Sequence, residues 1–299
     1  MCLSVNYYEK MNKIGVIGAT GMLGQPVVKE LVKAGFEVKA LVRNAEKAAK
    51  TLPAEVALIQ GDLKDMTQIK AFINQIDTLY LSLSVKQASR QSHFQPEREG
   101  IQNIAKALED HTKLKRIAYL SSLVQNYQGT NGFDWWVFAI KLQAVQIIKS
   151  LSIPSTVFYP STFMENFTVG SYRQGNRILL AGDSAHAMYF IAAEDYGRQV
   201  AKALKLVDDQ NYDFVIQGRE GFNADAAAKI FVENTPKKLK INKLPFGFMK
   251  VFGSLGAKFS YGRHIIEALN NYPEAFAAEP TWEVLGEPTI DLQKFANMH

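Results

Sequence analysis

Residues 14–24 read Ile-Gly-Val-Ile-Gly-Ala-Thr-Gly-Met-Leu-Gly, and an amphipathic stretch from Gln25 to Ala34 follows at once. The short apolar run Ile14, Val16 and Ile17 predicts a buried parallel strand. Gly18, Gly21 and Gly24 then recur at every third position. Gly18 lets the chain turn sharply off the strand, where a Cβ would be costly. Gly21 lets the backbone come close to a pyrophosphate, and Gly24 lets the helix pack tightly on the strand. The helix N-terminus offers free N–H groups and a positive dipole end to the phosphates. Pro26 falls in the first helical turn, where a missing N–H does least harm. A glycine triplet by itself is a weak signal, since a turn that binds nothing can carry the same letters. Here a strand precedes it, a helix follows, and a second strand over Glu37 to Val42 comes at the interval of a βαβ unit. The stretch predicts a dinucleotide site, with Thr20, Met22 and Leu23 among its contacts.

The second strand ends in Arg43-Asn44, where an NAD-preferring site would place an acidic residue on the ribose. Arg43, with Lys47 one turn along the next helix, suits a 2′-phosphate, which an arginine grips with two charge-assisted hydrogen bonds. The bland alternative is a solvated surface arginine. The expected cofactor is NADP(H) rather than NAD. Val56 to Ile59 predicts the third strand. Asp62, after Gly61, can accept from the adenine amino group or cap a helix beginning at Met66, and its spacing does not separate the two. A fourth strand over 76–84 puts Ser82 and Ser84 at its carboxyl end, facing the cofactor cleft.

Next come a helix from Glu97 to His111, a fifth strand from Lys115 to Leu120 running into Ser121-Ser122, and a polar loop over 126–131. Asp134 is expected to cap a helix from Trp135 to Leu151 that is apolar on most sides and therefore buried. Lys141 within it either snorkels to water or points into a cleft. Ser155 to Pro160 makes the sixth strand.

Beyond Ser161 the alternation is less regular. Short strands are expected over 178–181 and 188–193, a helix over 194–206, a strand over 212–217, and a helix capped by Asn223. The stretch Leu244 to Phe259, with Phe246, Phe248, Met249, Val251 and Phe252, can be core, a lid or a dimer face, and core is the commonest outcome. The expected architecture is an α/β, Rossmann-type doubly wound parallel sheet with a smaller C-terminal α/β substrate lobe. Residues 11–160 form the dinucleotide-binding core and 161–299 the lobe, from which a strand returns to the sheet. Residues 1–10 are expected to be an extension.

Composition narrows the function. The 299 residues are 47% hydrophobic and 21% charged, as in an ordinary globular protein. The net charge of +5 is modest and scattered, which gives no support to nucleic-acid binding. A single cysteine, Cys2, allows no internal disulfide and suits a reducing cytoplasm. No apolar run approaches the roughly 18 residues of a membrane span. The five histidines are dispersed without a metal-ligand spacing, so no metal is expected. The expected partner is a small-molecule substrate, with a homodimer or a regulatory protein partner left open.

Several of these stretches together resemble the atypical short-chain dehydrogenase/reductases, specifically the NmrA-like group. They are the Gly18/Gly21/Gly24 loop, Leu41-Val42-Arg43, Gly61-Asp62-Leu63, Tyr119-Leu120-Ser121-Ser122, Lys141, and Tyr159 through Phe167. Leu285-Gly286-Glu287-Pro288, with Leu292 and Phe295, is similar to that group's C-terminal end. The resemblance implies that Asp62 and Leu63 meet the adenine and Arg43 the 2′-phosphate. It places the turn of Tyr159, Pro160 and Phe163 against the nicotinamide.

One departure bears on mechanism. The short-chain dehydrogenase signature has a tyrosine four residues before the lysine, which lowers the phenol's pKa for proton donation. Four residues before Lys141 stands Val137, and the neighbouring Phe138 cannot donate a proton. Members of the group that resemble quinone or isoflavone-type reductases work without that tyrosine. The leading reading is an NADPH-dependent reductase of a quinone-like or enone small molecule. In it Lys141 holds the nicotinamide ribose or stabilises developing charge, and Ser121 or Ser122 bonds the substrate oxygen. The alternative is a non-catalytic NADP(H) sensor acting through a protein partner. An epimerase or dehydratase acting on a nucleotide sugar also needs the missing tyrosine and ranks last.

Overall fold

The computed structural model describes residues 13–109, 113–206, 208–252 (side chains to Met249) and 256–299. The expected 1–10 extension, Cys2, the helix end at His111, and the side chains of Val251 and Phe252 lie outside the described residues. Seven parallel strands form one sheet: β1 (Lys13–Ile17), β2 (Glu37–Val42), β3 (Ala57–Gln60), β4 (Thr78–Leu81), β5 (Arg116–Leu120), β6 (Ser155–Pro160) and β9 (Tyr212–Ile216). Their order is β3-β2-β1-β4-β5-β6-β9, so the winding reverses between β1 and β4. Ile14 of β1 pairs with Val38 on one side and Thr78 on the other. An open sheet of this kind binds ligands outside the carboxyl ends of its strands at such a reversal. The fold is a Rossmann-type α/β fold.

The alternation along β1 separates two cores. Ile14 and Val16 join Val27, Val28 and Leu31 of α1 (Gly24–Lys33), together with Tyr196 and Val200 of α6 (Ala193–Ala203). Ile17, on the other face, joins Ile69 and Phe72 of α3 (Met66–Ile73) and Ile104 of α4 (Ile101–Leu108). Val27, Val28 and Leu31 are each fully buried, worth about 1.5–3 kcal/mol apiece. A Schellman closure ends α1: Phe36 N donates to Leu31 O and Gly35 N to Val32 O, with Gly35 at φ 84°.

The C-terminal α/β lobe has its own small sheet of β7 (Arg173–Gln174), β8 (Arg177–Ala181) and β10 (Lys240–Leu244), in the order β10-β8-β7. Its core stacks Phe167, Phe190 and Phe231 of α7 (Ala224–Asn234) with Phe295 of α11 (Leu292–Asn297). Asn223 caps α7 by accepting from Ala226 N at 2.8 Å. A further aromatic cluster joins Trp135 and Phe138, at the start of α5 (Trp136–Ser150), to α9 (Ala257–Asn271).

Several local expectations are corrected. The helix expected from Glu97 opens as a π turn, Pro96–Gly100, before α4. Asp134 does not cap α5. It accepts from Gln128 Nε2, and Gln128 Oε1 takes the Trp135 N–H at 3.0 Å. That N–H belongs to the N-cap residue itself, so the first turn of α5 has no side-chain cap. Residues 188–193 form no strand and make only single bridges, Met188 to Phe222 and Phe163 to Ile191. Strand β10 was not expected, because Lys240-Ile-Asn-Lys-Leu244 is mostly exposed and lacks a buried face. In the aromatic stretch after it, Leu244, Phe248 and Phe259 are exposed, so core is not their outcome.

Candidate functional site

At the carboxyl end of β1 the three glycines have different jobs. Gly18 has φ 90°, and a Cβ there would stand 2.0 Å from the Ser82 carbonyl oxygen. A Cβ on Gly24 would stand 2.1 Å from the Gly18 oxygen, so strand and helix can approach only without it. At Gly21 a Cβ would meet only the Gly18 oxygen, at 3.3 Å. Packing demands Gly18 and Gly24 and does not demand Gly21. The N-terminus of α1 has no side-chain cap; Gln25 N–H donates to the Gly21 carbonyl at 3.1 Å and Pro26 has none, so the end offers a ligand its dipole and the Gly24 N–H.

This loop forms one wall of a pocket of about 480 Å³, within the range of small-molecule and cofactor sites. Gly18, Thr20, Gly21, Arg43, Asp62, Leu63, Ser82 and Ser84 all line it. Arg43 is exposed, and among the described residues no carboxylate pairs with its guanidinium. Lys64, Lys86 and His93 stand in the same lining, and Asp62 is its one carboxylate among the described residues. The Lys64 ammonium lies 5.2 Å from the centre of the Phe94 ring. Asp65, not Asp62, caps α3 by accepting from Thr67 N and Gln68 N. Among the described residues Asp62 Oδ1 takes only the Lys64 N–H, at 3.0 Å, and its other oxygen has no partner there. A helix end without a side-chain cap, a glycine that packing does not require, and Arg43, Lys64 and Lys86, which have no carboxylate partner among the described residues, fit a phosphorylated dinucleotide.

The remaining expected residues, Lys141, Ser121 and Ser122 among them, are not in this lining. Met22 is exposed, and Leu23 packs on the core under α1. Lys47 is exposed on the short helix α2 (Ala45–Ala49), its backbone N–H held by Asn44. Ser121, nearly buried, donates through Oγ to Gln125 Oε1 at 2.9 Å, while Ser122 is partly exposed. Pro160 ends β6, and Phe163 packs edge-on against Tyr196. The Tyr159 ring lies 5.8 Å from the Lys149 ammonium rather than in the pocket lining. Its phenol is raised by burial and then by the charge of Asp213.

Lys141 is partly buried, and its ammonium forms an ion pair with Glu97, whose side chain is fully buried. The Tyr119 hydroxyl donates to the same carboxylate oxygen at 2.7 Å. Burial, followed by the Glu97 charge, pushes the Tyr119 phenol well up, so it stays protonated as a donor. Glu97, Lys64, Lys86 and His93 were missed by sequence reasoning. An acidic residue after Pro96 reads as an ordinary first-turn acid, and no local pattern announces that it is buried against a lysine 44 residues away. Among the described residues no group of three or more His, Cys, Asp or Glu could hold a metal ion, and no helix is long and apolar enough to cross a membrane.

Known proteins share this architecture. The chain is 22% identical to the photosystem II assembly factor Ycf39 of Trieres chinensis over 258 residues, 85% of this chain and 79% of that one. A nucleoside-diphosphate-sugar epimerase from Staphylococcus aureus superposes with a TM-score of 0.74 at 17% identity, covering 96% of this chain and all of that one. The NADPH-dependent quinone oxidoreductase of Escherichia coli, solved with NADPH, superposes with a TM-score of 0.72 at 18% identity, covering 95% and 99%. These structural likenesses show the fold. The profile of the NmrA-like family matches residues 10–292, nearly the whole chain, and the chain belongs to that NAD(P)-binding Rossmann family.

Proposed function

We propose that this protein binds NADPH in the pocket at the glycine loop and reduces a quinone-like or enone small molecule. The observation that carries the reading is the unpaired Arg43 guanidinium at the same pocket as the uncapped start of α1 and Gly21. In this reading the Gly18–Gly24 loop and the positive dipole end of α1 take the pyrophosphate. Arg43 takes the 2′-phosphate, with Lys47, Lys64 and Lys86 adding positive charge around it. Asp62 and Leu63 meet the adenine, and Ser82 and Ser84 line the path towards the nicotinamide. Residues 11–160 supply the cofactor site, and residues 161–299 the substrate lobe and the strand that rejoins the sheet.

When bound, the cofactor supplies a hydride. The chain's own part is electrostatic: the Lys141 ammonium offers positive charge to the oxyanion that develops on the acceptor. Ser122, less engaged than Ser121, hydrogen-bonds that oxygen. With Val137 in place of a tyrosine, the acceptor must tolerate protonation from water, as a reduced quinone does. The likeness to the Escherichia coli quinone oxidoreductase supports this choice of substrate class. Lys141→Ala should keep NADPH binding within about threefold and lower turnover by 10²-fold or more, about the loss of one stabilising donor. Full turnover in that variant would remove Lys141 from the mechanism.

A second reading has one observation in its favour. The Ycf39 relative is named for an assembly role, which supports a non-catalytic NADP(H) sensor working through a protein partner. Tight NADPH binding without oxidation by any acceptor would select it.

A further inference from the structure

The segment from Lys86 to Gly100 has two faces of use. Lys86, Ser89, His93, Phe94 and Pro96 line the nucleotide pocket. The next residue, Glu97, is buried against Tyr119 of β5 and Lys141 of α5. The segment is tied to itself rather than hanging free. Arg98 donates to the carbonyls of Gln91 (2.9 Å) and His93 (3.3 Å), and Gln95 Nε2 donates to Arg90 O at 2.7 Å. The Gln95 N–H donates to Glu99 Oε2 at 2.7 Å. The chain turns through a π turn over Pro96–Gly100, a distortion frequent at functional sites.

One Glu97 oxygen receives both the Lys141 ammonium and the Tyr119 hydroxyl, and the other is buried without a partner among the described residues. Lys141 also lies 5.6 Å from the centre of the Tyr119 ring, so carboxylate and aromatic face fix it from two directions. Tyr119 is the penultimate residue of β5, near the carboxyl edge where this fold binds ligands. The charged and titratable groups facing Glu97 are Lys141 from α5, Tyr119 from β5 and Tyr261 from α9. Tyr159 of β6 acts on Tyr119.

We infer that Glu97 is a positioning residue: presented by the segment that walls the nucleotide pocket, it holds the Lys141 ammonium in place for the hydride acceptor. The inference rests on the reading of Lys141 as the group that meets the acceptor. Lys141 is then a fixed hydrogen-bond donor and positive charge rather than a base. The pocket wall and the lysine belong to one tied unit, so a nucleotide that orders the wall also orders the lysine.

Glu97→Gln keeps the shape of the side chain and removes its charge. The full-length variant should bind NADPH within about threefold of wild type, hold its acceptor KM within a similar factor, and lose kcat by about tenfold or more, as expected when a catalytic group drifts from its position. A role confined to stability predicts a lower melting temperature with kcat unchanged, and a kcat within twofold of wild type would overturn the inference. A second readout needs no turnover. In the cofactor-free protein, acetic anhydride should acylate Lys141 several-fold faster in Glu97→Gln than in wild type, read by peptide mass spectrometry. An unchanged rate overturns the inference. Should wild type oxidise no NADPH with any acceptor, the reductase reading fails while the acylation result still decides the role of Glu97. If Glu97→Gln does not fold, Glu97→Asp, which retains charge but draws the carboxylate back, takes its place. Faster acylation then supports the inference, and the wild-type rate refutes it.

Discussion

Gly21 and Gly24 sit three residues apart in one loop, yet replacing them with alanine should have opposite consequences. A Cβ on Gly24 would stand 2.1 Å from the Gly18 oxygen and 2.9 Å from the Ala19 oxygen, both backbone atoms held between strand and helix. Overpacking of that kind costs about 3 kcal/mol, the upper part of its usual range. In a chain of this length the melting temperature should fall by about 5 °C. A Cβ on Gly21 meets a single carbonyl at 3.3 Å, which a shift of a few tenths of an ångström relieves. Its effect on stability should stay within about 1 kcal/mol, or about 2 °C. In the proposed binding mode the methyl group would nevertheless stand where the pyrophosphate approaches the loop. Losing two charge-assisted hydrogen bonds at about 1.5–3 kcal/mol each weakens NADPH by at least about 100-fold. Thermal unfolding and NADPH fluorescence titration on both variants separate the effects. Wild-type affinity in Gly21→Ala, or a melting temperature as low as that of Gly24→Ala, would refute the division of labour.

Two other outcomes follow from single side chains. Arg43→Ala should weaken NADPH by about tenfold to 100-fold, the worth of one or two hydrogen bonds to a charged group, and leave NADH nearly unchanged; equal losses in parallel titrations would end the 2′-phosphate role. Glu165, with one oxygen accepting from Ala193 N at 2.9 Å and the other buried without a partner among the described residues, has its carboxyl pushed up to about 7 by burial. The folded state therefore binds this proton more tightly than the unfolded chain, and stability falls as pH rises from about 4.5 to about 7. The fall amounts to about 3 kcal/mol at most, and Glu165→Gln should flatten that part of a melting-temperature profile; an unaltered slope would refute the assignment.

The glycine-loop pocket was legible because its signals are local. Gly18, Arg43, Asp62, Ser82 and Ser84 each sit at the carboxyl end of a strand that its own few residues announce. A parallel sheet brings those ends together whatever the rest of the chain does. Glu97 was not legible, because its burial depends on Tyr119 and Lys141, which join it only once β5 and α5 are in place. Lys86 and His93 belong to a loop whose path is set by Arg98 and Gln95 gripping its carbonyls, and no periodicity encodes such a grip. In the lobe, β10 escaped notice because its residues are largely exposed and its pairing with β8 is non-local. The aromatic run after it suggested core, yet Phe248 and Phe259 face outwards, a reminder that apolar letters set a tendency and the packing partner decides.

The most direct test of the account follows NADPH absorbance with the purified full-length protein and a panel of small quinones, with cofactor binding measured in the same samples. The account predicts tight NADPH binding and protein-dependent oxidation by at least one quinone, lost in Lys141→Ala. Tight binding with no oxidation by any acceptor would contradict the reductase reading and leave a cofactor sensor in its place.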